Sequence, residues 1–518
     1  MLKDILDIKI DAKQILDNLV GKNAIQKFKD VVFIPDKRVI DFLLKGEKFF
    51  LVGTKGAGKT ALLIYTALKA DELTSAERSF IIFKELRQEE REDYRKLAHI
   101  TTYDQNEILP YYDYELVWNW LFHVEIYNAI TSSDKIIFER DENLANYLEA
   151  IETIVQKNVE GNKRLPIVAQ DGFIEISVDL PNFPITMSGR VNFIFETKRK
   201  GKIRFSTYIE RLNELYSNLQ EGQSKLYIIV DELNLSTKNE EEFERDICMI
   251  RDIIVSIEKF NIMTKATHDW VRIIGGIRTE VVNSVRMRGK EINKSIESYG
   301  IVVDWTRYSM EGIKHPLIRL LVNYLRVSES ERKVVGSEDQ DIFNRWVRKT
   351  IDGVASEQYI KEFTLYRPRD IARLLKLFRE YCPEEEKISM HAFSQIKKQY
   401  STDCWNEAME ELSIRYTSDE LECIEMWLMG FSSIFTYGEL KNRAIDQVKN
   451  NLNCSSLIDR FDVVLQDLYQ VGILGNIVSL PEGKNVTYQR WNFRGDDKLL
   501  STMNIQIHKI FRMRLATH

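Results

Sequence analysis

Residues 48–60, KFFLVGTKGAGKT, run from an apolar stretch through Gly53 and four further residues to Gly58, Lys59 and Thr60, and then into the helix-forming ALLIYTALKA at 61–70. Holding a phosphate chain makes demands that this order meets. Gly53, Gly56 and Gly58 permit a tight loop whose backbone N–H groups point inward, Lys59 can reach the β- and γ-phosphates, and Thr60 offers a hydroxyl to magnesium. Thr54, Lys55, Ala57 and Ala61 complete the cradle. The helix that follows adds the partial positive charge of its N-terminus. With glycine near average usage, the pattern arises by accident in on the order of a percent of chains this long.

A cradle binds phosphate; hydrolysis needs a metal partner and a base. KLYIIVDE at 225–232 ends an apolar strand in Asp231 and Glu232. The first carboxylate is placed for the metal, usually through water, and the second for an attacking water. Two acids at a solvated strand end are the bland alternative.

These runs also set the fold. KFFLVG (48–53), SFIIF (79–83), KLYIIVDE, WVRIIGGIR (270–278) and GIVVDW (300–305) are continuous β-branched stretches separated by helical segments. That pattern fits strands of a parallel sheet buried on both faces. The expected α/β core spans 46–310, after a helical lead-in over 1–45. About 140 residues separate the second run from the third, too many for an ordinary crossover, so an insertion is expected at about 100–207. Its first part, DYELVWNWLFHVEIYNAI (113–130), is helical and apolar around much of its circumference. GFIEISVDL (172–180) and GRVNFIFETKRKGKIRFS (189–206) alternate with period two, as in a small antiparallel meander.

After residue 310, LIRLLVNYL, DIFNRWVRKTIDGV and RPRDIARLLKLFREYC place apolar residues at helical spacing, giving a helical domain over 311–400. From about 405, three helical segments, DELECIEMWLMG, TYGELKNRA and SSLIDRFDVVLQDLYQVG, precede the strands ILGNIVSL and NVTYQRWNF, the order of a winged helix over 405–518.

Composition bounds the function without naming it. The 518 residues suggest roughly three units, at about 150 residues each. The balance of 73 Lys and Arg against 79 Asp and Glu, net −6, gives no global attraction to nucleic acid or anionic membrane. Cys248, Cys382, Cys404, Cys423 and Cys454 lack paired spacing, so neither a zinc site nor a disulfide is expected. There is no signal-like start and no apolar run of membrane-spanning length, which points to a cytoplasmic protein.

Other phosphate-cradle classes make demands that this sequence does not meet. No NKxD-type guanine reader is present, MSGRV (187–191) lies in the meander rather than in a signature helix, and a small-molecule kinase has no need of a winged helix. VGTKGAGKT, YIIVDE, IIGGIR, the DWTRYS segment at 304–309, RPRDIARLL and the terminal winged helix together resemble the AAA+ and STAND group of P-loop ATPases, over about residues 20–518. More narrowly, the chain resembles the FunZ-type bacterial ATPases met in mobile-element and phage-defence settings.

The resemblance implies an α/β P-loop core, a helical lid, ATP with Mg2+ at their junction, and hydrolysis coupled to homo-oligomer assembly. It implies that Arg278 ends a strand lying between the first and the acidic strand and faces the γ-phosphate, although an arginine at a strand end also suits solvent. Arg286 or Arg288 could serve a neighbouring subunit's nucleotide. Arg367, Arg369 and Arg373 follow or flank Pro368, and Arg369 is the candidate lid contact, with a structural ion pair as the alternative. Two functions follow: an ATP-hydrolysing switch or motor, and a nucleotide-gated scaffold that assembles with a protein effector and turns over little.

Nucleic-acid contact depends on local charge. The third helical segment of the winged region carries Asp459, Asp462 and Asp467 against Arg460, which opposes phosphates. Lys484, Arg490, Arg494, Lys509, Arg512 and Arg514 offer a modest basic surface in the wing and tail. The densest cluster, Lys198, Arg199, Lys200, Lys202 and Arg204 around Gly201, is expected at a hairpin tip, where it either meets a phosphate backbone or keeps an edge soluble. Tyr111, Tyr112, Trp118, Trp120 and Phe122 are expected to be core rather than a base-stacking platform.

Overall fold

The computed structural model describes residues 1–7, 19, 21–82, 91, 113–155, 173–177, 200–233, 240–285, 292–330, 338–413, 415–448, 454–479, 487–494, 496 and 498–517. They form two compact units. One comprises Met1–Pro35, Gly56–Gly58 and Asp304–His518; the other comprises Asp36–Lys55 and Lys59–Val303. The lead-in is divided between them, α1 (Lys22–Val31) with the former and α2 (Arg38–Leu44) with the latter.

The second unit is built on β1 (Phe50–Gly53), α3 (Lys59–Thr74), β2 (Glu77–Ile82), α4 (Glu115–Ser132), α5 (Glu142–Val155), the pair β3 (Phe173–Ser177) and β4 (Lys200–Arg204), α6 (Phe205–Ser217), β5 (Leu226–Asp231), α7 (Glu240–Thr267), β6 (Val271–Arg278), α8 (Thr279–Val285), α9 (Ile292–Tyr299) and β7 (Gly300–Val302). Its sheet has the order β2-β5-β6-β1-β7, and every pairing is parallel. All residues of β1 and β5 are buried, and all of β6 except Arg278. Helices on the sheet faces, α3 and α7 among them, account for apolar runs that are continuous instead of alternating. The fifth strand is shorter than expected: after Val303 donates to Val52 O at 2.7 Å, the chain leaves the sheet.

Within the insertion, α4 is buried nearly all round, including Trp118, Trp120 and Phe122. Trp118 donates its indole N–H to Met249 O at 2.8 Å, and Phe122 meets Phe260 edge-on at 5.5 Å. These aromatics are core; Tyr111 and Tyr112 lie outside the described residues. His123 on the same helix bonds Tyr147 and Asn213, and complete burial pushes its imidazole down to about 4. The strand pair β3 and β4 is antiparallel, with Ile176 opposite Gly201 and Glu175 opposite Lys202. Gly201 is therefore inside a strand and not at a hairpin tip; residues 178–199, which include Lys198, Arg199 and the 189–199 part of the expected meander, lie outside the described residues.

The other unit continues with α10 (Pro316–Ser330), α11 (Asp339–Trp346), β8 (Thr350–Ile351), β9 (Val354–Ala355), α12 (Ser356–Phe363), α13 (Pro368–Tyr381) and α14 (Met390–Leu412). The expected helix through DIFNRWVRKTIDGV stops at Trp346. Asp352 (φ 51°) and Gly353 (φ 77°) both adopt left-handed backbone between β-branched neighbours, the chemistry of a two-residue hairpin turn. Pro368 opens α13 as expected, its fixed φ suiting the first helical position.

Last come α15 (Ser418–Leu428), β10 (Ile434–Phe435), α16 (Tyr437–Val448), α17 (Ser455–Asp459), α18 (Phe461–Gln470), β11 (Leu474–Ser479), β12 (Thr487–Arg490) and β13 (Asn504–Ile507). The sheet is antiparallel in the order β10-β13-β11-β12, so two short strands join the two that were expected. SSLIDRFDVVLQDLYQ is two helices, broken at Arg460, which binds Glu420 and lies over the Tyr416 ring at 5.0 Å. Cys423 and Cys454 form a disulfide, contrary to the reduced thiols expected. Their separation of 31 residues carries no pairing signal; the fold supplies it, placing the two buried residues with Cα atoms 5.8 Å apart. Among the described residues no helix is long and apolar enough to cross a membrane.

Candidate phosphate-binding site

Parallel strands gather their C-terminal ends along one edge, where α/β sheets bind ligands. Register places Gly53, the last residue of β1, beside Arg278, the last of β6. The chain then turns through Gly56 (φ 79°) and Gly58 (φ 87°), backbone that strains any residue with a Cβ. Gly53 is not left-handed, so its place in the pattern reflects the strand end. Lys55 and Ala57 are buried, Thr54 is exposed, and Ala61 is half-buried in the first turn of α3. Lys59 is buried, and its Nζ donates to Gly53 O at 2.8 Å and Thr54 O at 3.0 Å.

Thr60 and Asp231 meet: the hydroxyl donates to Asp231 Oδ2 at 2.5 Å. Burial raises the Asp231 carboxyl above its ordinary 3.8, against the pull of the Thr60 hydroxyl, the Glu232 N–H, Lys59 and Arg278. Space for this carboxylate comes from Gly276. A Cβ there would stand 2.7 Å from Asp231 Oδ1 and 2.8 Å from Leu63 Cδ1. The second glycine of IIGGIR thus shapes the site, a role that the pattern of an apolar strand conceals. Glu232, half-buried, has φ 54°, an uncommon conformation for a side chain of this kind and one that collects at functional sites.

The arginines divide. Arg278 is half-buried at the sheet edge and acts electrostatically on Asp231. Arg369 Nη1 binds Glu407 at 2.7 Å, Arg373 binds Asp370 at 2.5 Å and also Glu407, and Arg367 reaches Glu411 at 3.4 Å. Burial pushes Asp370 up to about 6 despite Arg373. In this arrangement the three side chains make ion pairs within the helical segment. Arg286 and Arg288 lie outside the described residues.

Two contacts at the loop tip go beyond the sequence expectation, which named Arg369 as a lid contact through its side chain and gave Trp305 no role. The Trp305 indole N–H donates to Ala57 O at 2.9 Å, and the Arg369 backbone N–H donates to Gly56 O at 3.3 Å. Trp305 belongs to the DWTRYS segment, and the only signal was a tryptophan needing a partner for its N–H.

Four of the tail cations are matched with carboxylates. Arg490 pairs with Asp496 (3.3 Å), Arg494 and Lys509 with Glu362 (3.0 and 3.6 Å), and Arg514 with Glu425 (2.5 Å); Arg512 donates to Ile507 O. Lys484 lies outside the described residues. Asp467, counted above on the outer face of its helix, is instead buried against Arg415 (2.5 Å) and the Tyr416 hydroxyl (2.7 Å), leaving Asp459 and Asp462 exposed.

Residues 317–408, covering α10 to α14, match the family model of the FunZ-associated C-terminal helical domain. The chain is 24% identical over 292 residues to the "Putative transposon gamma-delta 80.3 kDa protein" of Escherichia coli (strain K12), a match covering 53% of this chain. It spans 38% of that protein's length. Among solved structures, Cdc6p from Pyrobaculum aerophilum aligns over 98% of this chain and 100% of its own, at 13% identity and a TM-score of 0.29.

Proposed function

We propose that the chain binds ATP with Mg2+ and hydrolyses it, working as a molecular switch or motor of the AAA+/STAND kind. The observation that carries this is the 2.5 Å contact of Thr60 Oγ1 with Asp231 Oδ2, beside a loop turned through Gly56 and Gly58. A hydroxyl and a carboxylate side by side are oxygen donors of the kind Mg2+ takes. Thr60 and Asp231 would hold the metal, and Lys59 with the loop amides the phosphates. ATP and Mg2+, when bound, supply a phosphoryl group whose transfer to water spreads charge over its equatorial oxygens.

Lys59 exchanges the carbonyls of Gly53 and Thr54 for phosphate oxygens. Glu232 orients a water and takes its proton, and Arg278 stabilises charge from the end of β6. Arg369, whose backbone already touches Gly56, leaves Glu407 to join the phosphates. The helices of 311–400 serve as the lid, and α15, α16 and α18 with the β11–β12 hairpin as a winged helix. The transposon relative supports a mobile-element setting; an antiphage role, self-assembly and a separate effector protein are further parts of the reading. Nucleic-acid contact, if it belongs to the activity, falls to the segment of Lys198, Arg199, Lys200, Lys202 and Arg204.

Steady-state phosphate release, measured alongside particle mass with and without Mg-ATP, tests this. Lys59→Ala is expected to lose binding or turnover by about 100-fold or more. Assembly driven by ATP with negligible turnover in the wild-type protein would favour the nucleotide-gated scaffold instead.

A further inference from the structure

A loop binds an anion through N–H groups, and in a trans peptide the N–H points opposite to the carbonyl of the preceding residue. No cis peptide occurs among the described residues. The direction of each loop amide is therefore fixed by whatever holds the carbonyl behind it. At the tip two such carbonyls are held. Gly56 O accepts from the Arg369 backbone N–H at 3.3 Å, and Ala57 O accepts from Trp305 Nε1 at 2.9 Å.

We infer that Trp305 is a positioning residue of the phosphate loop: its indole N–H holds Ala57 O so that the Gly58 N–H is aimed away from it, while Arg369 N does the same for the Ala57 N–H. The inference rests on the loop being an ATP cradle, as proposed above. Trp305 is 5% exposed, and indole nitrogen is a donor only, so this bond has a single polarity. The close packing agrees. A Cβ on Gly56 would lie 3.4 Å from Arg369 Cβ, and one on Gly58 3.7 Å from Pro368 Cγ, so Arg369, which fixes one carbonyl, and its neighbour Pro368 also pack against the loop. Trp305, Pro368, Arg369 and Gly56–Gly58 all belong to the same compact unit.

Trp305→Phe keeps a large apolar ring and removes the donor. Binding of a fluorescent ATP analogue with Mg2+, steady-state kinetics and the melting temperature without nucleotide are compared in the wild-type, Lys59→Ala and Trp305→Phe proteins. The expected result is about tenfold weaker binding in Trp305→Phe, appearing in KM with kcat little changed, and a melting temperature without nucleotide close to wild type. Wild-type affinity in Trp305→Phe, with binding lost in Lys59→Ala, overturns the inference alone. No binding by the wild-type protein overturns the ATP reading and the inference with it. If Trp305→Phe does not fold, Arg369→Pro is compared with Arg369→Ala: proline is tolerated in the first helical turn and removes the N–H, alanine keeps it. Several-fold weaker binding in the proline variant supports the inference, and equal affinities contradict it.

Discussion

Cations occur both at the end of the parallel sheet and in the C-terminal antiparallel unit, but they are held differently. Lys59 donates to the carbonyl oxygens of Gly53 and Thr54 and acts electrostatically on Asp231. Arg490, Arg494, Lys509 and Arg514 sit against carboxylates, where a phosphate would have to displace an existing negative partner. Local charge density alone is therefore a poor guide to anion binding. In the proposed reading the sheet edge, where backbone carbonyls hold Lys59, takes the anion, and the carboxylate-paired tail does not.

The comparison can be broken most strongly through stability. Replacing Cys423 and Cys454 together with alanine should lower the stability of the C-terminal unit by about 2–4 kcal/mol in denaturant unfolding while leaving ATP affinity unchanged. A parallel loss of affinity would show that the two regions do not act separately. Gly276→Ala should cost about 1–3 kcal/mol, because its Cβ drives into Asp231 and Leu63, and should raise the Mg2+ concentration needed for half-maximal turnover. An unchanged Mg2+ requirement would remove Gly276 from the site. Arg490→Ala with Arg494→Ala should change stability by no more than about 1 kcal/mol and leave duplex DNA affinity unaltered at constant salt. A clear drop in DNA affinity would return the tail to the nucleic-acid reading.

The parts legible in the sequence are those where one residue type suffices for one job. The buried strands were visible because parallel strands covered on both faces must be apolar throughout, and Thr60 and Asp231 because cradle and acidic strand each carry their own pattern. Gly276 was not, since its need appears only when β5 and β6 are laid in register and Asp231 falls beside it. Trp305 was hidden for a similar reason: its partner is a carbonyl 248 positions earlier in the chain. The hairpin at 350–355 was a different kind of miss. Asp352-Gly353 is a turn signal in its own right, overridden in the reading by helical spacing on either side.

In the proposed reaction Glu232 activates water at a cradle that binds ATP without it. Phosphate release in a single turnover, at saturating Mg-ATP, tests this in wild-type and Glu232→Gln proteins whose bound nucleotide is quantified in parallel. The account predicts wild-type occupancy by ATP and release slowed by about 100-fold or more in the variant. Release at the wild-type rate with full occupancy would contradict it.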